Sequence, residues 1–115
     1  IERIGLAARY CDAAIFNGII FLAGHVAEKT EGASLTEQTE EVLALLADTL
    51  AQAGSRKERI LSVQIFLTDI SKIGEMNAVW DKWVAKGHSP ARATVEAKLA
   101  SPGYAIEITA VAAKG

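Results

Sequence analysis

The sequence predicts an α+β domain whose elements run β-β-α-β-α-β-β, a mixed sheet with two helices on one face. Three observations carry this order. Asn17-Gly18 separates two short apolar runs. Two longer segments, opening near Ser34 and Asp69, repeat apolar residues at helical spacing. The segments around and after them alternate with the period of a strand. At 115 residues the chain is a single domain, and half of it is hydrophobic, enough for a modest core without staples.

Taken in order, Ala13–Phe16 and Ile19–Ala23 read as a hairpin, because a type I′ turn needs positive φ at both central residues and Asn-Gly accepts it. After a loop containing Gly32, Ser34 and Glu37 have the spacing of a capping box. Thr39, Val42, Leu43, Leu46, Leu50 and Ala53 then recur on one helical face, and Gly54 sits where a left-handed cap belongs. In the strand that follows, Leu61, Val63, Ile65 and Leu67 face one way, with Ser62, Gln64 and Phe66 opposite.

The second helix opens at Asp69 or Ser71, ends near Gly87 and buries Ile73, Met76, Trp80, Trp83 and Val84. Gly74 within it costs about 1 kcal/mol relative to alanine. Pro90 stops any continuation, and Ala91–Leu99 and Ala105–Ala112 supply the last two strands. Pro102-Gly103 between them suits the centre of a type II turn. Ile19 to Leu22 are apolar at both parities, and Phe66 and Val111 lie opposite the helix-facing sets. Two helices cannot cover both faces, so a further subunit is expected over the second.

Composition excludes several function classes. The net charge is −2, with 12 basic and 14 acidic residues and no basic run, which argues against a nucleic-acid footprint. Cys11 is the one cysteine, so neither an internal disulfide nor a Cys/His metal pattern exists. No apolar run, Ile19–Ala23 included, comes near the length of a membrane span, and no signal-peptide pattern opens the chain. A reducing, cytoplasmic compartment is the expectation.

The last two strands each carry a charge where a sheet core would prefer none. Arg92 shares a face with Thr94, Glu96 and Lys98; Glu107 shares one with Thr109 and Val111. Taking the apolar sets as helix-facing, both Arg92 and Glu107 are expected to point away from the helices. Two readings of the pair stand open: a structural ion pair at an interface, or an arginine clamp for a substrate carboxylate with the glutamate moving a proton or placing a water. A simple hairpin about Ser101 and Pro102 would pair Glu107 with Glu96 and leave Arg92 about 13 Å along the strand.

The stretches "PARATVEAKL" and "YAIEITAVAA" resemble the C-terminal signature of the RidA (YjgF-type) family of reactive enamine/imine deaminases. "NGIIFLAGHVAE", Gln38, Ala53-Gly54 and "FLTDISKIGEMNAVWDKW" match further family segments in the same order, and "MNAVWDKWVAKGHSPARATV" resembles a short-chain bacterial branch. The resemblance implies a chorismate-mutase-like fold, a homotrimer with clefts between subunits, and a final strand inserted centrally rather than beside the strand before it. It also implies hydrolysis of 2-imino acids, in equilibrium with enamines such as 2-aminoacrylate, without metal or cofactor.

By motif position, Arg92 would grip the substrate carboxylate and Glu107 would position the attacking water. Tyr10, Gly24 and Asn77 match family cleft positions, and Thr94 stands where several members carry Cys. Ala23 and His25 replace the usual Ser and Gln, and Ala100 stands where the family often has Pro. His25 is a candidate proton donor on its chemistry alone. A trimer that binds small carboxylates without turnover, keeping Arg92 and dispensing with Glu107, is the alternative. A chorismate mutase fits less well, since a dianionic substrate would want more than one cation.

Overall fold

A computed structural model describes residues 1–115. Its strands are β1 (Glu2–Ile4), β2 (Ala13–Phe16), β3 (Ile19–Leu22), β4 (His25–Val26), β5 (Ile60–Leu67), β6 (Ala91–Glu96) and β7 (Ile106–Ala113). The helices are α1 (Leu35–Gln52) and α2 (Ile73–Trp83). The predicted order holds, with two short strands added: β1 lengthens the hairpin edge and β4 pairs with β7. Asn17 and Gly18, at φ 52° and 76°, form the expected hairpin turn between β2 and β3.

The Ser34 hydroxyl accepts from the Glu37 N–H at 3.2 Å and donates to the Glu37 carboxylate at 3.1 Å, so the cap expected for α1 forms. Leu43, Leu46 and Leu50 of α1 and Met76 and Trp80 of α2 pack on Ile20, Ile65, Leu67, Ile106 and Ile108 of the sheet. Each such side chain is worth about 1.5–3 kcal/mol when taken out of water.

The sheet runs β1-β2-β3-β7-β5-β6. The last strand therefore lies in the middle, antiparallel to both β3 and β5, and β6 lies at the edge, parallel to β5 through α2. A β6–β7 hairpin does not form; the central insertion implied by the family resemblance does. The loop before β7 is tied to α1 by Gln38, which is buried. Its Nε2 donates to Ala33 O at 3.1 Å and Gly103 O at 2.9 Å, and its Oε1 accepts from the Ala105 N–H at 2.8 Å.

Four local expectations are corrected. A bulge between Ile60 and Ser62 turns Ile60 into the core and leaves Leu61 exposed, reversing the predicted facing of Leu61. Helix α2 stops at Trp83 rather than near Gly87, because Val84 takes an extended conformation at its C-cap. The strand from Ala91 ends at Glu96, three residues before Leu99, where β5 has run out of partners. Gly103 is absent from the positive-φ set, so the turn closed by Tyr104 N–H to Ser101 O is not type II.

Candidate functional site

Paired residues on neighbouring strands point to the same face of a sheet. Arg92 pairs with Val63 and Thr94 with Ile65, both in the core that the helices cover. Arg92 and Thr94 thus face the helix side, which overturns the expectation that Arg92 points away from it. The guanidinium stands 5.4 Å over the Trp80 ring of α2, and Glu96, next on the same face, accepts from the Ile70 N–H ahead of α2. The expectation failed because it took Ala93 and Val95 as helix-facing. The outer face of this sheet is itself apolar, carrying Phe21, Phe66, Val95 and Val111, so apolarity does not tell the two faces apart.

Glu107 keeps its predicted direction. It pairs with Phe66 and Val26, while its neighbours Ile106 and Ile108 are buried under the helices. Arg92 and Glu107 therefore lie on opposite faces. They are offset by about 10 Å along the strands and about 10 Å across two of them. One small ligand cannot touch both within a single chain.

The candidate residues divide accordingly. On the helix side, Asn77 lies one turn before Trp80 on α2, and Thr94 lies two residues beyond Arg92 on β6. Asn77 Oδ1 and Thr94 Oγ1 are buried without a hydrogen-bond partner. Buried polar atoms are nearly always satisfied, so two orphans beside one unpaired arginine mark a place built for a further polar group. The one ion pair in the chain, Lys114 with Glu2 at 3.6 Å, lies elsewhere.

The second group surrounds a cavity of about 690 Å³ whose lining includes Tyr10, Gly24, His25, Tyr104 and Glu107. A methyl group at the Gly24 Cα would collide with the Glu107 carboxylate, so Glu107 can lie over this position only because it is glycine. His25 Nδ1 is 2.7 Å from Ala23 O, and a carbonyl only accepts, so Nδ1 carries a proton. Nε2, 2.9 Å from Thr49 Oγ1, accepts from that hydroxyl when the ring is neutral. The imidazole thus ties β4 to α1 with both nitrogens engaged. Burial and the neighbouring Glu31, Glu28 and Glu41 carboxylates push the Tyr104 hydroxyl above its ordinary value, so it stays protonated in the cavity wall. Asp12, Glu28, Glu41 and Asp48 also line the cavity and give it an acidic wall. No three His, Cys, Asp or Glu side chains converge as a metal site requires.

The profile of the family described as endoribonuclease L-PSP matches residues 1–114. The chain belongs to this family, the YjgF/RidA family. A YjgF-family protein of Neisseria meningitidis is 46% identical and superposes with a TM-score of 0.96, covering 99% of this chain and 94% of that one. A RutC family protein of Haemophilus influenzae is 45% identical over 112 residues, 97% of each chain. The RutC family protein YoaB of Escherichia coli is 42% identical over 113 residues, 98% of this chain and 97% of its own. The YjgF/RidA fold accounts for the central β7 and the edge position of β6. Sequence reasoning missed Trp80 as a site neighbour, since its helical spacing with Met76 and Trp83 reads simply as core. The direction of Arg92 follows from the parallel β5-α2-β6 pairing, which alternation along the strand does not reveal.

Proposed function

We propose that the protein hydrolyses reactive 2-imino acids and their enamine tautomers to 2-keto acids and ammonia. The observation that carries this reading is Arg92, with no carboxylate partner in its own chain, beside the orphaned Asn77 Oδ1 and Thr94 Oγ1. A planar guanidinium with free donors suits a ligand carboxylate, and the adjacent acceptor suits the N–H of an imine. Glu107, held over Gly24 on the opposite face, would come from a second subunit. A homotrimer with clefts between subunits brings the two half-sites together and covers the apolar outer face.

In such a cleft Arg92 holds the carboxylate and the imine nitrogen is protonated, which makes its carbon electrophilic. Glu107 takes a proton from water as the oxygen adds to that carbon, giving a tetrahedral amino alcohol. Glu107 passes that proton to nitrogen, then takes the hydroxyl proton as the C–N bond breaks, so the carbonyl forms and ammonia leaves. The proton left on Glu107 is the one that protonates the next imine. No electrons change hands, and the protein supplies position, a proton relay and charge stabilisation. The expected location is the cytoplasm; no helix is long and apolar enough to cross a membrane.

The test generates 2-aminoacrylate with a serine dehydratase and follows 2-keto acid release. Wild type should accelerate release, Arg92→Ala should raise KM strongly, and Glu107→Gln should lower kcat. No acceleration by wild type overturns the deaminase reading. Binding of pyruvate that needs Arg92 without any turnover would leave a carboxylate-binding protein instead. The description of the family as an endoribonuclease suggests RNA as a substrate, and a labelled single-stranded RNA belongs in the same assays. The acidic cavity wall, with Asp12, Glu28, Glu41 and Asp48 around Glu107, disfavours a polyphosphate chain there.

A further inference from the structure

We infer that Trp80 is a positioning residue for the Arg92 guanidinium and so sets the affinity of the site for carboxylates. The inference rests on the reading of Arg92 as the carboxylate clamp. Two cation–aromatic pairs occur in the chain, and their difference carries the argument. Lys57 Nζ sits 5.4 Å from the Trp83 ring, and it also donates to Trp83 O at 2.7 Å, closing the end of α2. That cation is consumed by the fold. Arg92 stands at the same 5.4 Å over Trp80, yet no carboxylate of its own chain pairs with it.

Arg92 is an exposed residue on an edge strand, where a long side chain would otherwise sample many rotamers. The Trp80 ring beneath it is fixed. It is buried in the core, and Trp83 packs against it at 5.6 Å and 45°. The attraction of the ring for the cation uses no hydrogen-bond acceptor, and no acceptor in its own chain takes a bond from the guanidinium, so its N–H donors stay available to a ligand. The platform restricts the fork before ligand arrives, which reduces the ordering needed on binding. An aliphatic residue would keep this part of the core apolar without attracting the cation, though it fills less of the volume, so shape-preserving changes to the ring give the cleaner comparison. That distinguishes a positioning role from a packing role.

The experiment titrates 2-ketobutanoate, the product-type carboxylate, into the full-length protein by calorimetry or NMR, so turnover is not required. Fluorinated tryptophans weaken the ring's attraction for a cation while keeping its shape. Incorporated into a Trp83→Phe background, leaving Trp80 the one tryptophan, they should raise Kd stepwise with the number of fluorines, with the melting temperature nearly unchanged. Trp80→Leu, where it folds, should weaken binding about tenfold, and Trp80→Phe should recover part of the loss. Neither substitution should weaken binding further in an Arg92→Ala background.

A Kd indifferent to fluorination overturns the inference, even if imine hydrolysis proceeds normally. Stepwise weakening in a protein that hydrolyses no imine sustains it and overturns the deaminase reading alone. No carboxylate binding by wild type overturns it together with the clamp.

Discussion

Gln38 shows how one buried amide can decide where a loop goes. Its hydrogen bonds to Gly103 O and from the Ala105 N–H fix residues 103–105 against α1, immediately before the strand that carries Glu107, and a third goes to Ala33 O. Gln38→Leu removes a partner from two carbonyls and one N–H. Gly103 O keeps the Gly32 N–H at 2.9 Å, so the half-buried Ala33 O and Ala105 N–H are the groups left short, each costing about 1–3 kcal/mol. Urea denaturation should show a loss of roughly 2–4 kcal/mol. Amide exchange at Ala105 should quicken more than that of the β5 core. Gly24 is the opposite case, a residue whose missing side chain matters. Gly24→Ala should displace the Glu107 carboxylate, lowering kcat/KM roughly ten- to hundredfold. Glu107 is the far end of a flexible side chain, so the melting temperature should stay close to wild type.

Elements were legible where one physical signal dominated. Asn17-Gly18 and the Ser34 cap identified the hairpin and the start of α1 from local chemistry, which tertiary context did not alter. Leu61 and the end of α2 were misread because a bulge and an extended C-cap leave no mark in apolar spacing. Arg92 was misplaced because facing was inferred from which parity is apolar, and this sheet has two apolar faces. Its type was legible and its direction was not. The order of strands likewise followed from family resemblance rather than from alternation, which would have drawn a β6–β7 hairpin.

The loop ahead of α1 offers a pH test at this scale. Burial works to raise the Glu41 carboxyl. The Thr30 hydroxyl, the Lys29 and Thr30 N–H groups and the Lys29 charge outweigh it and hold Glu41 below its ordinary 4.5. A depressed carboxyl stabilises the fold above its unfolded value and loses that contribution as pH falls through the folded one. Thermal melts should therefore show Glu41→Gln less stable than wild type at neutral pH. The difference should close as the pH drops below 4.5.

For the whole molecule, the decisive feature is the division of the candidate site between two faces of one sheet. In the proposed trimer each cleft would take Arg92 from one subunit and Glu107 from the next. Arg92→Ala and Glu107→Gln proteins should each be nearly inactive alone. Refolded together in equal amounts, they should recover about a quarter of wild-type activity, the fraction of clefts that draw both intact residues. Recovery of none would place both residues of a working site on one chain. The same division bears on dilution. A protein whose two half-sites belong to different copies has no activity as a separate chain: below the dissociation constant of the assembly, specific activity should fall with concentration while every chain stays folded. A newly made chain would then be inert until it meets its partners, and the abundance of the protein would itself act as the switch.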